Sequence, residues 1–310
     1  MTEPLAIVIV NWNACAHLRA CLRAAVPLGR PVVVVDNASG DGSAAMVARD
    51  FPTVELIASR TNLGFAGGVN AGMRATATPW VLVLNPDVIV DDGSVARLLE
   101  GASAAAAAGP PIGAAGGCLI GEDGRPQAGF AVRRFPTLAT FAVDLLLVDK
   151  VWPANPVTRR YLAADLDLTV DQDVEQPAAA CLLVRREAFD AVAGFDEGFH
   201  PAWFEDVDFC RRLHVAGWRI RYVAAARPRH EGGVAMRSLG LTTFAPVWYR
   251  NMTRYVDRHF SGPARITYRL LLVVGVALRV AASLVRGRPA DARAYAACAA
   301  PAFRYPSRHG

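Results

Sequence analysis

Three short polar clusters each follow an apolar run early in the chain: Asp36-Asn37-Ala38-Ser39, Ser59-Arg60-Thr61-Asn62 and Asn85-Pro86-Asp87. Carboxylates, amides and hydroxyls are hard oxygen ligands and hydrogen-bond acceptors, suited to Mg2+ or Mn2+ and to polar ring edges. Asp36 follows four consecutive valines and can accept from the imide N–H of a uracil or thymine ring. A turn or helix-cap aspartate is the alternative reading, and Asp41 fits that alternative better. Asp87 supplies one carboxylate, which suffices for a divalent cation that also binds phosphate oxygens. Asn85 can orient a ribose or a metal-bound water but adds no charge.

The stretch Asn62-Leu63-Gly64-Phe65-Ala66-Gly67-Gly68-Val69-Asn70 opens a small-residue helix. Gly64, Gly67 and Gly68 permit close backbone approach, and free N–H groups at a helix start hold anions such as a diphosphate. Tight helix packing is the other use of such glycines. Asn62 and Asn70 either contact ribose or diphosphate or cap a helix. The run is not the GxGxxG dinucleotide fingerprint. Further on, Glu205-Asp206-Val207-Asp208 opens another helix. Acids are favoured there by the helix dipole alone, yet one of them can act as a general base. Glu205 and Asp208 share a face and Asp206 is offset from both. His230, in Arg227-Pro228-Arg229-His230-Glu231, is either a structural imidazole or a nitrogen ligand that favours Mn2+ over Mg2+. Arg227 and Arg229 can neutralise a diphosphate or simply be solvated.

The elements that carry these groups alternate. Leu5–Val10, Val32–Val35, Val54–Ala58 and Trp80–Leu84 read as buried strands, with helices through Leu18, Leu22 and Ala25, over Gly42–Arg49, over Ala66–Thr76 and over Gly93–Ala108. This βαβα order predicts a mostly parallel sheet with helices on both faces. In such sheets ligands bind outside the carboxyl ends of the strands, so the three polar clusters should converge on one crevice. Later strands are expected at Gly113–Ile120, Ala178–Val184 and Ile220–Ala224, with helices at Arg186–Val192, from Glu205 to Ala216, and from Thr243 onward. Residues 131–176 show weak periodicity and match no readable pattern.

The chain has 310 residues, 53% hydrophobic and 20% charged, with a net charge of +5. That suits one large α/β domain with an extension and argues against disorder outside Pro301–Gly310, which reads as a frayed tail. Six cysteines form no CxxC pair and read as buried, reduced thiols of a cytoplasmic protein. Ile7–Val10 is too short for a signal-peptide core. Arginines recur from Arg250 to Arg288 between apolar residues, a pattern that suits an anionic membrane surface rather than nucleic acid. The apolar stretch Leu270–Leu278 is interrupted by Arg279 and then continues to Val285; its nine uninterrupted residues fall short of a spanning segment, and it is expected to lie in the interface or to pack on the catalytic domain.

Taken together, Asp36-Asn37-Ala38-Ser39-Gly40-Asp41, the Asn62–Gly72 loop, Asn85-Pro86-Asp87, Gly194-Phe195-Asp196-Glu197 and Phe204-Glu205-Asp206-Val207-Asp208 resemble, in order over about residues 5–235, the motifs of glycosyltransferase family 2. Within it the pattern is most similar to bacterial rhamnosyltransferases. The resemblance implies a GT-A nucleotide-sugar-binding α/β fold over 1–240, with a donor half to about 120 and an acceptor and base half from about 121. A helical, basic extension over 241–310 would contact membrane peripherally. It also implies that Asn11, Asp36, Asn37, Asn62, Gly64, Gly67, Gly68, Asn70, Asn85 and Asp87 hold a dTDP- or UDP-sugar. Asp87 and His230 would hold Mn2+ or Mg2+, with Asn85 standing where the family carries its first metal-motif aspartate. Asp196, Glu197 and Trp203 would meet a glycan or lipid-linked glycan acceptor. Asp206 would be the base of an inverting displacement, with Glu205 as runner-up. The setting implied is the cytoplasm, at the inner face of the membrane. The competing readings are a nucleotidyltransferase, which lacks its basic glycine-rich loop at Asn11-Trp12-Asn13, and a silent sugar-nucleotide-binding scaffold, which Asn85 would suit.

Overall fold

The computed structural model describes residues 4–106, 109–233 and 239–300. Along the chain the elements are β1 (Leu5–Asn11), α1 (Cys15–Ala25), β2 (Val32–Asp36), α2 (Ser43–Asp50), β3 (Glu55–Ala58), α3 (Gly64–Ala75), β4 (Trp80–Leu84), β5 (Val88–Ile89), α4 (Asp92–Ala106), β6 (Ile112–Gly117) and β7 (Val132–Arg133). Then follow α5 (Leu138–Leu145), α6 (Val148–Val151), α7 (Pro156–Tyr161), β8 (Gln172–Asp173), β9 (Gln176–Pro177), β10 (Cys181–Arg185), α8 (Arg186–Ala191), α9 (Glu205–Val215), β11 (Arg219–Val223), β12 (Arg229–His230), α10 (Leu241–His259), α11 (Gly262–Val285) and α12 (Pro289–Ala297).

Eight strands form one sheet in the order β3-β2-β1-β4-β10-β6-β11-β8. The first four are parallel, as is β6 with β11, while β10 runs antiparallel between β4 and β6. β1, β2 and β4 are buried along their whole length, because helices cover both faces, and so they read as unbroken apolar runs. Alternate residues feed two cores. Ile7, Ile9, Val32, Val34, Leu82 and Leu84 join Leu18 and Leu22 of α1 and Leu98 and Leu99 of α4 on one face. Val8, Val10, Val33, Val35, Val81 and Val83 join Val69 and Met73 of α3 and Phe209 and Leu213 of α9 on the other.

Chain order reverses between β1 and β4, and a doubly wound sheet opens its ligand crevice at such a point. β1 ends on Asn11, in register with Asp36 at the end of β2, and Asn85–Asp87 follows β4 on the other side of β1. Beyond β6 the chain leaves the sheet earlier than Gly113–Ile120 suggested. Cys118 donates to the Ala226 carbonyl and Ile120 bridges to Pro126 and Arg229, which brings the 120s loop to β12.

The glycines of α3 allow close packing on β1. A Cβ on Gly72 would lie 2.3 Å from Val8 Cγ1, and one on Gly68 2.6 Å from Val10 Cγ1. Both valines are buried and β-branched, so neither can swing aside. Gly72→Ala is expected to cost about 1–3 kcal/mol of stability through overpacking, read as a lower urea midpoint at unchanged slope.

Among the described residues, 4–135 with 162–233 form one compact unit, and 136–161 with 239–300 form a second. The stretch 136–161, expected within the acceptor half, therefore folds with the C-terminal helices. In this second unit Thr137 caps α5 through a reciprocal bond pair with Thr140, and Phe141 packs edge-on against Tyr255 and Tyr268. Arg279 does not interrupt α11. Its guanidinium is buried and donates to the last carbonyls of α5, Asp144 O at 2.8 Å and Leu145 O at 2.7 Å, where a cation suits the helix end. The helix runs unbroken for 24 residues, and an 18-residue window of it has mean hydropathy 1.9; it is long and apolar enough by composition to cross a membrane. The expected tail, Pro301–Gly310, lies outside the described residues.

Candidate active site

At the ends of β1 and β2, Asn11 Nδ2 donates to Asp36 Oδ1 at 2.8 Å, and the Ser39 N–H donates to Asp36 Oδ2 at 3.0 Å. Ser39 Oγ also accepts from the Asn13 N–H, so the loop after β2 is tied to the loop after β1. Each carboxylate oxygen of Asp36 thus keeps spare acceptor capacity, and Asn11 Oδ1 is buried without a partner. Asn37 reaches the third loop instead: its Nδ2 donates to the Gly64 carbonyl at 3.0 Å.

The glycine loop departs from expectation. Gly64 has φ +73°, and a Cβ there would meet Pro201 O at 2.9 Å. Its N–H donates to Asn62 Oδ1, and the Phe65 N–H donates to Pro201 O at 2.7 Å. Two of the N–H groups expected to face a diphosphate are therefore bonded within the protein. Gly67 lies against Leu63 and Glu197, and Gly68 against Val10. Asn70 spends its amide as well. Nδ2 donates to Phe195 O at 2.8 Å and Glu197 Oε1 at 2.9 Å, and Oδ1 accepts from the Phe195 N–H. Asn70 thus ties α3 to the Phe195–Glu197 loop, and Gly67 and Gly68 let α3 pack closely on its neighbours. Asp196 Oδ1 accepts from the Gly198 N–H within its turn, and Glu197 is exposed beside α3.

After β4, the two-residue ribbon of β5 with β12 sets His230 opposite Val88, next to Asp87. The Glu231 N–H donates to the Asp87 carbonyl at 3.2 Å. Asp87 Oδ1 and His230 Nε2 lie 3.6 Å apart, both buried, and neither has a hydrogen-bond partner. Gln127 explains the imidazole's orientation. Its Oε1 lies 2.7 Å from His230 Nδ1 and its Nε2 donates to His230 O at 2.9 Å. An amide oxygen can only accept, so Nδ1 carries the proton and Nε2 turns a lone pair toward Asp87. Burial holds the imidazole pKa below its ordinary value, against the pull of Asp87 and Glu231, and keeps it neutral. Phe130 stacks on the ring at 5.0 Å and 16°. Two buried lone pairs that face each other unsatisfied fit a shared divalent cation. Among the described residues no group of three or more His, Cys, Asp or Glu could hold a metal, so the remaining ligands would come from phosphate oxygens and water.

The second carboxylate centre opens α9. Trp203 and Phe204 both take left-handed backbone, φ +75° and +71°, an uncommon conformation for bulky residues that turns the chain sharply into the helix. Asp206 is half-buried. Its Oδ2 accepts from Gln176 Nε2 at 2.9 Å and its Oδ1 from the Val207 N–H at 2.8 Å. Desolvation raises its pKa, opposed by the backbone N–H of Val207, by the Arg133 charge and by the backbone of Ala179. Glu205 is buried, with Oε2 unpartnered, and burial followed by repulsion from Asp206 drives its pKa well up. Asp208 is fully buried and pairs with Arg212 at 2.7 Å, which in turn donates to the Val192 and Gly194 carbonyls. It anchors the loop that carries Asp196.

Sequence reasoning missed Gln127, Phe130, Arg133 and Gln176. Arg133 pairs with Gln176 across the short β7–β9 ribbon, and its guanidinium lies 5.6 Å from the centre of the Phe130 ring. One segment, 127–133, therefore joins the His230 side of the site to the Asp206 side. A glutamine three residues before an aromatic, in a stretch ending on paired arginines, was the only signal.

Residues 3–255 match the family described as Glycosyltransferase like family 2. The chain is 32% identical over 308 aligned positions, 93% of its length, to 96% of an N-acetylglucosaminyl-diphospho-decaprenol L-rhamnosyltransferase of Mycobacterium tuberculosis. It is 29% identical to the rhamnosyltransferase WbbL of Escherichia coli, over 60% of this chain and 64% of that one. Among solved structures, the mannosyltransferase PcManGT of Pyrobaculum calidifontis, in complex with GDP-Man and Mn2+, matches with a TM-score of 0.55 at 13% identity, over 98% of this chain and 88% of that one. GalNAc-T7 with UDP, GalNAc and Mn2+ matches with a TM-score of 0.59 at 14% identity, over 86% of this chain and 50% of that one. These structures share the GT-A fold expected from the sequence.

Proposed function

The chain belongs to Glycosyltransferase like family 2, and we propose that it transfers L-rhamnose from dTDP-rhamnose, with inversion, to a hydroxyl of a lipid-linked N-acetylglucosaminyl diphosphate in bacterial cell-wall or polysaccharide assembly. That it is a glycosyltransferase follows from the family and from relatives matched nearly end to end. The single observation behind the rhamnosyl reading is the 32% identity that covers 96% of a relative named for this donor sugar and acceptor. The reading puts the protein in the cytoplasm, against the membrane that holds the acceptor.

In this account Asn11 and Asp36 receive the nucleobase, Asn37 and Asn62 hold the loops that enclose it, and Asn85 with Asp87 face the ribose and diphosphate. The bonds that join the loops, Asn11 to Asp36 and Asn37 to Gly64, and the Asn62–Gly64 bond within the third loop support that arrangement. Asp87 and His230 would hold Mn2+ or Mg2+, which supplies positive charge to the departing diphosphate. Asp206 takes the acceptor proton as the acceptor oxygen bonds to the anomeric carbon and the bond to the diphosphate oxygen breaks. Gln176 and the Val207 N–H hold that carboxylate in place. Trp203, Asp196 and Glu197 flank the acceptor, with Asn70 fixing the loop beneath them. Glu205 is buried, whereas Asp206 is half-exposed and better placed to meet an acceptor.

Gln127 sets the tautomer of His230, and such supporting bonds typically carry 10- to 100-fold in metal affinity. Gln127→Leu is expected to weaken Mn2+ binding by about that factor, read by electron paramagnetic resonance titration without substrate. Unchanged Mn2+ affinity would remove Gln127 from this role. A thermal-shift panel tests the donor: dTDP-rhamnose with Mn2+ should stabilise the protein more than any UDP-sugar does. A larger shift with a UDP-sugar would favour a UDP-dependent transferase, and no shift with any sugar nucleotide would favour a silent scaffold.

A further inference from the structure

Among the described residues one face of α11 is left exposed, and apart from Thr267 near its start that face is apolar. Ile266, Leu270, Val273, Val274, Ala277, Leu278, Ala281, Leu284 and Val285 are exposed. At 100° per residue they fall in a single stripe less than half the helix circumference wide. Leu270 is 64% exposed and Val285 89%. From Ile266 to Val285 the stripe is about 29 Å long. No charged residue interrupts it. The opposite face is committed: Tyr268, Leu272, Gly275, Val276 and Arg279 are buried, with Gly275 so close to Leu145 that a Cβ would lie 2.6 Å from its carbonyl oxygen.

Charge accompanies the stripe. Between Gly262 and Ala300 there are six arginines and one acid, Asp291. Arg286 and Arg288 follow the stripe directly and are exposed, as is Arg293 on α12. An apolar stripe of this length with cations at its end matches a helix lying in the headgroup region of an anionic bilayer.

Crossing the bilayer fits less well, although α11 is long enough. Arg269 pairs with Asp257 of α10 at 2.8 Å, and Arg279 is bonded to the end of α5. A spanning α11 would draw these charges and their partner helices toward hydrocarbon, where charged side chains are costly.

We infer that the outer face of α11 is a docking surface for an anionic phospholipid bilayer, with the helix lying in the membrane plane and Arg286, Arg288 and Arg293 at the headgroups. The inference rests on the lipid-linked-acceptor reading for its purpose, and its test separates the two. The full chain is sedimented with phosphatidylcholine vesicles and with vesicles containing about a third phosphatidylglycerol. Wild type should pellet with the second and far less with the first, and high salt should reduce binding. Leu270→Glu combined with Leu278→Glu, both at exposed positions, should lower partitioning by about tenfold or more. Arg286→Glu with Arg288→Glu should abolish the preference for phosphatidylglycerol. Transfer to a water-soluble, short-chain acceptor should be unchanged in both variants. Wild type left in the supernatant, or glutamate variants that still pellet, would overturn the inference. So would light scattering that shows a dimer split by the glutamates, since the face would then belong to a second copy. Extraction from vesicles only by detergent, never by salt or alkali, would overturn the in-plane placement. Failed transfer to the short-chain acceptor with intact vesicle binding would count against the catalytic reading alone.

Discussion

Asp206→Asn is expected to lower kcat by about 10²- to 10⁴-fold, the usual contribution of a positioned general base, while donor binding stays within about twofold of wild type. The isosteric amide keeps the volume, and its oxygen can still accept from Gln176 or the Val207 N–H. It cannot take a proton. Glu205→Gln should cost far less in kcat, because Glu205 is buried while Asp206 is the half-exposed carboxyl of the pair. The pH profile carries a second signature. Asp206 works as the carboxylate, and desolvation raises its pKa above the ordinary aspartate range, about 3.9. Activity should therefore fall on the acid side, with its midpoint above that value, and Gln176→Leu should shift the limb to higher pH by removing a bond to the charged form. If Asp206→Asn retains most of its activity while Glu205→Gln loses it, the roles of the two carboxyls are reversed.

Asp87→Asn should lower kcat/KM by about 10²- to 10³-fold, comparable to the loss of one preorganised charge-stabilising group at a reaction centre. His230 Nε2 would then face an amide, and the Asp87–His230 pair would retain no carboxylate. Mn2+ affinity, measured by calorimetry with and without dTDP, should fall at least as far as for Gln127→Leu. His230→Gln should resemble Asp87→Asn in metal binding, since the two residues act on one site. Activity that survives both Asp87→Asn and chelation would mean that the protein neutralises the diphosphate without a metal.

Much of this was legible in the residues. β1, β2 and β4 are buried on both faces, so their apolar runs could only be core strands, and the polar residues that ended them marked the crevice. The antiparallel β10 could not be distinguished from its parallel neighbours, because direction leaves no trace in a five-residue apolar strand. Gly68 and Gly72 show the packing use of such glycines, against Val10 and Val8, while the bond from Asn70 to the Phe195 carbonyl, 125 residues away, left no local trace in the sequence. Gln127, Phe130 and Arg133 lie in turns and a two-residue strand, too short for any period to appear, and their partners are some 40 to 100 residues away. Arg279 looked like a break in an apolar segment because a buried arginine that caps another helix is indistinguishable, in sequence, from an exposed one.

The central claim is single-displacement transfer of rhamnose to a lipid-linked diphosphate acceptor. It is tested most directly by incubating the protein with dTDP-rhamnose, Mn2+ and a short-chain N-acetylglucosaminyl-diphospho-polyprenol, then identifying the product by mass and by the NMR configuration of its new anomeric centre. The expected product carries one added deoxyhexose, inverted relative to the donor, and forms at least about 10²-fold more slowly with Asp206→Asn. A retained configuration, or a sugar accepted only from UDP or GDP donors, would contradict it.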